Sequence, residues 1–340
     1  MENLKGHVCL VTGASRGVGR GIALGLGERG ATVYITGRTL KPGQSSEIGG
    51  SLQETAAAIN ASGGKAIPVV VDHSDDKQVS ELFDRIRREQ KGRLDVLVNN
   101  AFGGAPMMMN NLGKPCYAIE DQSPAEAWDA INNVGLRNHY ICSVYAVRMM
   151  MEYQEQQKKE MKSPLHPGLI VNISSCGAVA YCFSTLYGIC ATALDRMTKD
   201  MAHELKQQRA QISIVSLWPG AVMTERTIKA AEESKDINSP SLALIKAGSA
   251  ETPLLCGRVV AALAEEQTNK LMKRSGRAVI VSDVAYEYGI RQPDGSVPPH
   301  SRSLKYMLQM GGFSMARFVP SFVHVPKCLY VHLIKWIPAN

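Results

Sequence analysis

The chain has 340 residues, of which 45% are apolar, and its 38 Lys and Arg residues only slightly outnumber its 31 Asp and Glu residues. This length and composition are those of an ordinary globular protein with a sizeable core, built as one large domain or two small ones. Because the basic excess is small and scattered, nucleic-acid binding is not predicted, since it needs a clustered basic face.

The cysteines and the N-terminus bear on the cell compartment. The eight cysteines form no CxxC pair and no His/Cys spacing suited to zinc, and several lie in apolar, strand-like runs. We therefore expect reduced, mostly buried thiols, no metal site and a protein that faces the cytosol. The N-terminal MENLKGHVCLVTGAS enters a strand pattern within a few residues, so no signal peptide is predicted.

Short apolar runs rich in Val and Ile alternate with helix-like segments along the chain. Because these runs are almost continuously apolar, they predict strands covered on both faces. Together they predict an α/β fold of Rossmann type, a doubly wound, seven-stranded parallel sheet flanked by helices. The runs are residues 7 to 14, 31 to 38, 65 to 73, 94 to 101, 169 to 175, 211 to 220 and 278 to 284.

The remaining segments set the domain organisation. No internal repeat and no linker rich in Pro, Gly or Ser divides the chain. We expect one domain over residues 1 to 290, followed by a C-terminal extension over residues 291 to 340. Residues 151 to 168 are charged and are predicted to continue a helix as a solvated arm.

A glycine-rich turn follows the first predicted strand. The sequence TGASRGVGRG, at residues 12 to 21, places Gly13, Gly17 and Gly19 where the strand must turn sharply into a helix. Glycine suits a tight turn, a close backbone approach to a pyrophosphate and close helix-to-strand packing. The helix N-terminus then offers free N–H groups to the phosphates. This position favours a dinucleotide site over a plain loop.

The end of the second strand indicates which nicotinamide cofactor binds. An Asp or Glu there would hydrogen-bond the ribose of NAD, but the strand ends in Gly37 and Arg38. Together with Arg16 in the glycine turn, Arg38 can clamp a 2'-phosphate, so NADP(H) is predicted. The alternative is that Arg38 is only a solvated loop residue. Asp72, after the third strand, suits an adenine amino group or a helix cap.

Several motifs occur in one order and at one set of spacings. They are TGASRGVG, the NNA of residues 99 to 101, the ISS of residues 173 to 175, Tyr187 and the WPGAVMTE of residues 218 to 225. In this combination the chain resembles the short-chain dehydrogenases/reductases over about residues 5 to 285. The resemblance implies cofactor contacts by Gly13, Ser15, Arg16, Gly17, Val18, Gly19, Asn100, Ala101, Pro219, Gly220, Val222 and Thr224.

The same resemblance implies an oxidoreductase. In the family, hydride passes between the nicotinamide and a carbonyl carbon while a tyrosine exchanges a proton with the carbonyl oxygen. The resemblance assigns that tyrosine to Tyr187. It assigns the serine that steadies the oxygen to Ser175, with Ser174 as the alternative; either hydroxyl is otherwise a strand-end group satisfied by the backbone.

Two positions depart from the family pattern. Gly135, in Asn-Val-Gly-Leu, stands where the family usually has asparagine, and Ala191 stands where it has lysine, four residues after Tyr187. In the family, this lysine holds the nicotinamide ribose and lowers the pKa of the tyrosine, and the asparagine anchors a water of the proton relay. Lys199 lies about 18 Å along the helix from Tyr187, and Arg196 faces the other way, so neither is expected to substitute.

The missing lysine affects the direction of the reaction. Without a neighbouring cation, Tyr187 is expected to titrate near its unperturbed pKa of about 10 and to be protonated at neutral pH. It can then donate a proton to an alkoxide but cannot take one from an alcohol. We expect slow, reductive activity, with oxidation recovering only at high pH. The alternative is an NADP(H)-binding pseudoenzyme with a regulatory or membrane-associated scaffolding role.

The substrate side lies after the sixth strand. By resemblance, about residues 222 to 253 form a mobile lid, and Thr224 meets the nicotinamide carboxamide or caps a helix before Glu225. The apolar surroundings suit a bulky lipophilic carbonyl such as a steroid or xenobiotic, although methionine clusters are also typical of plain packing. These apolar residues are Met107 to Met109, Phe183, Leu186 and Met223.

The tail, residues 311 to 340, mixes aromatic residues with Arg317, Lys327 and Lys335. Its longest uncharged run, residues 318 to 326, is shorter than the roughly 20 residues that span a bilayer. We expect a membrane-interface segment or, alternatively, docking onto the same molecule or a dimer mate. A narrower resemblance within the family favours the cytoplasmic face of the endoplasmic reticulum, or the cytoplasm. Family habit also implies a homo-oligomer through the helices that flank the fifth strand.

Overall fold

A parallel β-sheet forms the centre of the computed structural model, which describes residues 4–44, 48–160, 166–233 and 240–336. Within these residues the strands are β1 (Val8–Val11), β2 (Thr32–Gly37), β3 (Lys65–Val70), β4 (Val96–Asn99), β5 (Gly168–Ile173), β6 (Ile212–Trp218) and β7 (Ala278–Ile280). They pair in the order β3-β2-β1-β4-β5-β6-β7, and every pair is parallel. The predicted fold class is confirmed, and each strand overlaps the apolar run that predicted it.

Burial differs between the centre and the edge of the sheet. Strands β1, β4 and β6 are buried at every residue, as continuous apolarity predicts. The prediction of coverage on both faces is wrong for β3, whose residues are only partly buried or exposed, because β3 is an edge strand. Pro68 lies in this strand, where one missing backbone N–H is tolerated.

Helices cover both faces of the sheet. They are α1 (Gly17–Gly27), α2 (Leu52–Ala61), α3 (Asp76–Glu89), α4 (Ala105–Asn110), α5 (Pro124–Asn132), α6 (Asn138–Lys159), α7 (Thr185–Gln207), α8 (Glu225–Glu233), α9 (Pro240–Lys246), α10 (Pro253–Ala264), α11 (Thr268–Arg274), α12 (Val281–Glu287), α13 (Leu304–Met310) and α14 (Lys327–Leu333). One large apolar cluster includes α1, α2 and α10, and a second includes α3 and α6.

Helices α1 and α10 pack backbone against backbone. A Cβ atom on Gly25 would lie 2.2 Å from the carbonyl carbon of Gly257, and one on Gly21 would lie 2.1 Å from the carbonyl oxygen of Pro253. No larger residue fits at either glycine without separating the two helices. This contact fixes the direction of α1, and therefore the position of its N-terminus at the carboxyl end of β1.

The chain beyond β7 folds back onto the sheet. Tyr306, Met307, Tyr330 and Ile334 are buried, and a cluster that contains three of them also contains Trp218 of β6. The expected docking onto the same molecule is therefore found for this face of the tail. No described helix is long and apolar enough to cross a membrane.

Candidate functional site

The glycine turn after β1 is bonded to the end of β4. The hydroxyl of Thr12 accepts hydrogen bonds from the backbone N–H groups of Asn100 and Ala101, at 2.9 and 3.0 Å. The side-chain amide of Asn100 in turn donates to the carbonyl oxygens of Thr12 and Gly13. Gly13 has φ +67°, and a Cβ there would lie 2.8 Å from the Ala101 Cα. This bonding holds the two strand ends together at the point where the strand order reverses.

The rest of the glycine turn leads into α1. Gly17 has φ +57°, and Gly19 is buried so close to the Gly13 carbonyl oxygen that a Cβ would lie 2.4 Å from it. Val18 packs against the apolar cluster on that face. Ser15 lies beside the end of β2, since a Cβ on Gly37 would be 3.6 Å from the Ser15 hydroxyl oxygen. The turn therefore has the shape that a pyrophosphate cradle requires.

An anionic side chain already lies at the N-terminus of α1. The backbone N–H of Gly17 donates a hydrogen bond to the Glu225 carboxylate at 2.9 Å. A carboxylate in this position stands in for a phosphate oxygen, because the helix terminus attracts either anion. Sequence reasoning missed Glu225, since the two residues lie 208 positions apart.

Thr224 forms the helix cap predicted for it and also lies near the glycine turn. Its hydroxyl accepts a hydrogen bond from the Thr227 backbone N–H at 3.2 Å, which is the predicted helix cap at the start of α8. Its methyl group would also lie 3.5 Å from a Cβ on Gly17, so the residue borders the phosphate end of the turn.

The two arginines predicted to clamp a 2'-phosphate lie in different surroundings. Arg16 is partly buried, and its guanidinium reaches the carbonyl oxygen of Gly50 at 3.5 Å. Arg38 is exposed at the end of β2, and its charge helps to lower the pKa of Asp72. Arg226, which the sequence did not suggest, is close enough for the Arg16 charge to lower its pKa, together with burial as the larger cause.

Asp72 does not cap the helix that follows β3. Its carboxylate accepts hydrogen bonds from the backbone N–H and the hydroxyl of Ser74, which lower its pKa against the effect of burial. Helix α3 is capped instead by Asp75, which accepts from Lys77 and Gln78. The helix-cap alternative for Asp72 is therefore wrong.

The turn after β6 is bonded to a buried carboxyl group. The Gly220 backbone N–H donates to Glu251 at 3.0 Å, and the Ala221 N–H donates to the Tyr306 hydroxyl at 2.9 Å. Glu251 is 1% exposed, and burial raises its pKa to about 8. Pro219 and Gly220, where the chain leaves the core, are partly buried. Glu251 forms a parallel bridge with Val222, so the chain returns at residue 251 to a place beside this turn.

The candidate catalytic residues lie side by side. Tyr187 is in the first turn of α7, where its backbone N–H donates to the Ser184 hydroxyl at 3.2 Å. The Tyr187 ring and the Ser175 hydroxyl lie close together on either side of Gly177, and the Ser175 hydroxyl acts to lower the pKa of the phenol. Ser174 points elsewhere, since its hydroxyl donates to the Ala191 carbonyl oxygen at 3.3 Å. The geometry therefore favours Ser175 over Ser174 as the partner of the tyrosine.

Gly177 makes this contact possible. A Cβ at Gly177 would lie 2.8 Å from Cε1 of the Tyr187 ring and 2.9 Å from the Ser175 hydroxyl oxygen. The Gly177 N–H also donates to that oxygen at 3.0 Å, which fixes the serine rotamer. The sequence offered a signal for this residue in the spacing of Ser175 and Gly177.

The surroundings of Tyr187 shift its pKa away from that of a free tyrosine. Tyr187 is partly buried, and this burial raises its pKa well above the ordinary value, while the nearby Ser175 hydroxyl acts in the opposite direction. The other main influences are the thiols of Cys176, Cys182 and Cys190, and no cation of the described chain is among them. The prediction of a pKa near 10 is therefore wrong, because it left out the desolvation of the phenol.

Apolar groups fill the place of the expected proton relay. Gly135 lies in a π-type bulge, residues 133–137, between α5 and α6, and its N–H donates to Asn138 at 2.7 Å. A Cβ there would lie 2.9 Å from the Phe102 ring and 3.4 Å from the Cys190 sulfur. The Phe102 ring meets the Tyr187 ring edge to face, with centroids 6.2 Å apart. No side chain larger than glycine fits at position 135 without displacing Phe102.

The basic residues further along α7 do not replace the lysine. Ala191 is buried at 3% exposure. Arg196 and Lys199 are both exposed, and the Arg196 guanidinium bonds the Asp200 carboxylate at 2.7 Å. The prediction that neither cation serves Tyr187 is in agreement with the influences on its pKa.

The predicted apolar substrate residues divide into separate groups. Phe183 lies against Tyr187, with ring centroids 5.2 Å apart. Leu186 packs in one cluster with buried Met107, whereas Met223 packs in another with Leu244 and Tyr306. Met108 is also buried, at 9% exposure, so two of the methionines at 107 to 109 belong to the core packing.

One cluster of possible metal ligands lies at the opposite end of the sheet. His7, Asp95 and His166 place ligand atoms within 4.8 Å of one another, although their sequence spacing gave no sign of it. The Arg93 guanidinium bonds the Asp95 carboxylate at 2.8 Å. A cation at this place would have to displace that arginine.

The comparisons with known proteins agree with this geometry. Residues 7–235 match the family model described as short chain dehydrogenase. The proteins named Dehydrogenase/reductase SDR family member 1 from Mus musculus and Homo sapiens are each 42% identical over 328 residues, covering 95% of this chain and 96% of the relative.

Two similar solved structures differ in their cofactor. A metagenomic short-chain oxidoreductase in complex with NADP is 25% identical, with a TM-score of 0.56 over 82% of this chain and 97% of that one. A 3-oxoacyl-[acyl-carrier protein] reductase from Brucella melitensis in complex with NAD is 26% identical, with a TM-score of 0.61 over 81% and 95%.

Proposed function

We propose that this chain, which belongs to the short-chain dehydrogenase family, reduces the carbonyl groups of lipophilic ketones and aldehydes with NADPH. The proposal rests on the close placement of the Tyr187 ring and the Ser175 hydroxyl around Gly177, in a chain whose glycine turn suits a dinucleotide. Turnover is weakened, because Ala191 supplies no cation to the tyrosine or to the cofactor ribose.

The residues at the carboxyl ends of the strands fit a nicotinamide cofactor. The turn from Gly13 to Gly19, with Asn100 and Ala101, would hold its phosphates and ribose, and the hydrogen bond from the Gly17 N–H to the Glu225 carboxylate supports an anion site there. When bound, this cofactor supplies the hydride. Arg16 and Arg38, together with Arg226, favour the 2'-phosphate of NADP(H), and the matched structures contain either form.

The proton comes from the protein. Tyr187 is neutral throughout the physiological range, since burial raises its pKa. It can donate its phenolic proton to the developing alkoxide, while the Ser175 hydroxyl steadies the same oxygen. It cannot act as a base toward an alcohol, because the phenolate is scarcely populated. The reaction is therefore reductive, and the recovery of oxidation shifts to higher pH than for a tyrosine with its ordinary pKa.

Apolar side chains favour a lipophilic substrate. The Phe183 ring borders Tyr187, and Leu186 packs in one apolar cluster with Phe102, whose ring also contacts Tyr187. Residues from Val222 to about 253 would form the lid, with Val222 bridged to Glu251; residues 234 to 239 of this segment lie outside the described residues. A steroid or xenobiotic carbonyl fits these surroundings by its size and polarity.

A second candidate function follows from the apolar surroundings of Tyr187, where a proton relay was expected. Phe102, Cys190 and Ala191 make that side of the tyrosine apolar, and such a site can bind cofactor without turning over. The alternative is therefore an NADP(H)-binding pseudoenzyme whose occupancy regulates or scaffolds a membrane-associated assembly.

The outer surface of the tail fits a membrane interface. Phe318 is 75% and Phe322 is 78% exposed, and the Arg317 guanidinium lies 4.7 Å from the Phe318 ring. Exposed aromatic rings beside a basic group suit the headgroup region. We infer a location at the cytoplasmic face of the endoplasmic reticulum, or in the cytoplasm.

Exposed Ile189 on α7 and Tyr140 on α6 support a homo-oligomer through these helices.

Binding and turnover separate the two functions. NADPH is titrated, and turnover on a panel of carbonyls is measured, for wild type, Tyr187→Phe and Ala191→Lys. Wild-type turnover well above that of Tyr187→Phe supports the reductase. Tight NADPH binding without turnover, rescued by Ala191→Lys, supports the pseudoenzyme, and absence of NADPH binding contradicts both.

A further inference from the structure

Two thiols lie beside the candidate catalytic tyrosine and have no part in the proposed reaction. Cys176 directly follows Ser175, and Cys182 lies five residues before Tyr187. Their sulfur atoms are 3.8 Å apart, and both side chains are partly exposed. The expectation of mostly buried thiols therefore fails here. The buried cysteines are Cys9, Cys142, Cys190 and Cys256.

The backbone between the two thiols allows them to come closer. A disulfide needs a sulfur-to-sulfur distance of about 2.05 Å, so the pair at 3.8 Å must approach by roughly 1.8 Å. Cys176 begins a short 3-10 turn that ends at Ala178. Cys182 lies in irregular backbone between that turn and α7, where no helix or strand hydrogen bonds hold it. Closing this gap requires a movement of the loop that carries Cys182.

The two thiols are not equivalent. The contact between the two sulfur atoms lowers the pKa of Cys176, while burial acts in the opposite direction. A lowered pKa favours Cys176 as the nucleophile of the pair. Cys182 is the neighbouring thiol that can resolve an oxidised Cys176.

We propose that Cys176 and Cys182 form a reversible disulfide that locks the loop beside Tyr187, with hydrogen peroxide as the oxidant. The Cys176 thiolate attacks one peroxide oxygen, the O–O bond breaks, and the released hydroxide takes a proton to become water. The resulting sulfenic acid is attacked by the Cys182 sulfur, and its oxygen leaves as a second water. Two thiols lose two electrons to one peroxide, and an added dithiol reverses the reaction.

The lock acts through the residues between the disulfide and the tyrosine. Phe183 has φ +61°, an uncommon conformation for a bulky side chain, and its ring contacts Tyr187. Ser184 caps the first turn of α7 at the Tyr187 N–H. When Cys182 moves toward Cys176, both residues must follow. A misplacement near 1 Å at a catalytic group costs up to about a hundredfold in rate.

The first experiment detects the disulfide itself. The full chain is treated with hydrogen peroxide, denatured, alkylated and analysed by peptide mass spectrometry. We expect a linked peptide pair that joins Cys176 to Cys182 and separates with dithiothreitol. In Cys182→Ser we expect a Cys176 sulfenic acid that dimedone traps, whereas Cys328→Ser, at an exposed thiol of the tail, behaves as wild type. Both thiols remaining alkylatable, or both passing to sulfinic acid without a link, would overturn the proposal.

The second experiment measures the lock. In wild type and Cys328→Ser, the rate of carbonyl reduction is expected to fall about tenfold or more when the protein is oxidised, and to recover with dithiothreitol. Cys182→Ser cannot form the disulfide, so its rate should not show this disulfide-dependent loss. This arm rests on the proposed function. Hydrogen exchange over residues 179 to 184 does not, and it should slow in the oxidised protein even if no carbonyl is turned over. A formed disulfide with unchanged exchange would contradict the lock.

Discussion

The Glu225 carboxylate accepts a hydrogen bond from the Gly17 backbone N–H at 2.9 Å, at the place where α1 would receive a phosphate. In the proposed function, a pyrophosphate bound at this place would displace a side chain of the same charge. Glu225 is the first residue of α8, so loss of this contact would free the start of that helix from α1.

Removal of the charge at position 225 should tighten NADPH binding. Glu225→Gln keeps the shape of the side chain but no longer competes as an anion. We expect a dissociation constant about threefold to tenfold lower, since a charge at a helix terminus contributes roughly 1 kcal/mol. Fluorescence titration of NADPH measures it, with Glu232→Gln on the same helix as the matched control. Equal affinities for both variants would contradict the competition.

Loss of the Arg38 guanidinium should reduce the preference for NADPH. In Arg38→Ala we expect NADPH affinity to fall about tenfold while NADH affinity changes little, because a hydrogen bond to a charged group contributes about 1.5–3 kcal/mol. The matched control is Arg88→Ala, an exposed arginine on α3. An unchanged ratio of the two affinities would mean that Arg38 is only a solvated loop residue.

The buried carboxyl group of Glu251 should make the protein less stable at alkaline pH. Its pKa is raised to about 8 in the folded chain, so between about pH 4.5 and 8 the folded state holds a proton that the unfolded state has lost. The free energy of unfolding from this group therefore decreases as pH rises, by up to about 1.4 kcal/mol per pH unit. Glu251→Gln, which mimics the protonated carboxyl, should remove that slope.

Urea unfolding at pH 6, 7, 8 and 9 measures the effect of Glu251. Wild type should lose stability relative to Glu251→Gln across this series, whereas exposed Glu120→Gln should follow wild type. Parallel curves for wild type and Glu251→Gln would show that this carboxyl group is ionised in the folded chain at neutral pH.

The exposed rings of the tail should govern attachment to membranes. Phe318→Ser with Phe322→Ser is expected to weaken co-flotation with phosphatidylcholine and phosphatidylserine vesicles at least about tenfold, since each buried ring contributes roughly 1.5–3 kcal/mol. Tyr117→Ser removes a ring that is 88% exposed elsewhere and serves as the control. Wild-type protein that does not float with the vesicles would instead leave the tail as a docking element of the same molecule.

Local motifs made much of this molecule predictable. The strands, the glycine turn and the Ser175 and Tyr187 pair follow from runs of neighbouring residues, since each depends on backbone geometry within one strand, turn and helix. The contacts of Glu225 with Gly17 and of Tyr306 with Ala221 join residues 208 and 85 positions apart. No pattern in a single sequence specifies such pairs.

The same limit explains why the pKa of Tyr187 was predicted wrongly. The absence of lysine at position 191 was visible in the sequence, but the desolvation of the phenol depends on residues brought together by the fold. Phe102 and Cys190 occupy the relay side for the same reason, because they meet only where α7 packs against the π-type bulge.

Tyr187 rests as a neutral phenol because it is partly buried without a neighbouring cation, so it can donate a proton to an alkoxide but cannot take one from an alcohol. Rates of carbonyl reduction and of the reverse alcohol oxidation, measured from pH 6 to 10 for wild type and Ala191→Lys, test it directly. We predict wild-type reduction that is nearly independent of pH, wild-type oxidation that stays negligible over the whole range, and neutral-pH oxidation that appears only in Ala191→Lys. Wild-type protein that oxidises the alcohol at pH 7 as fast as Ala191→Lys would contradict the account.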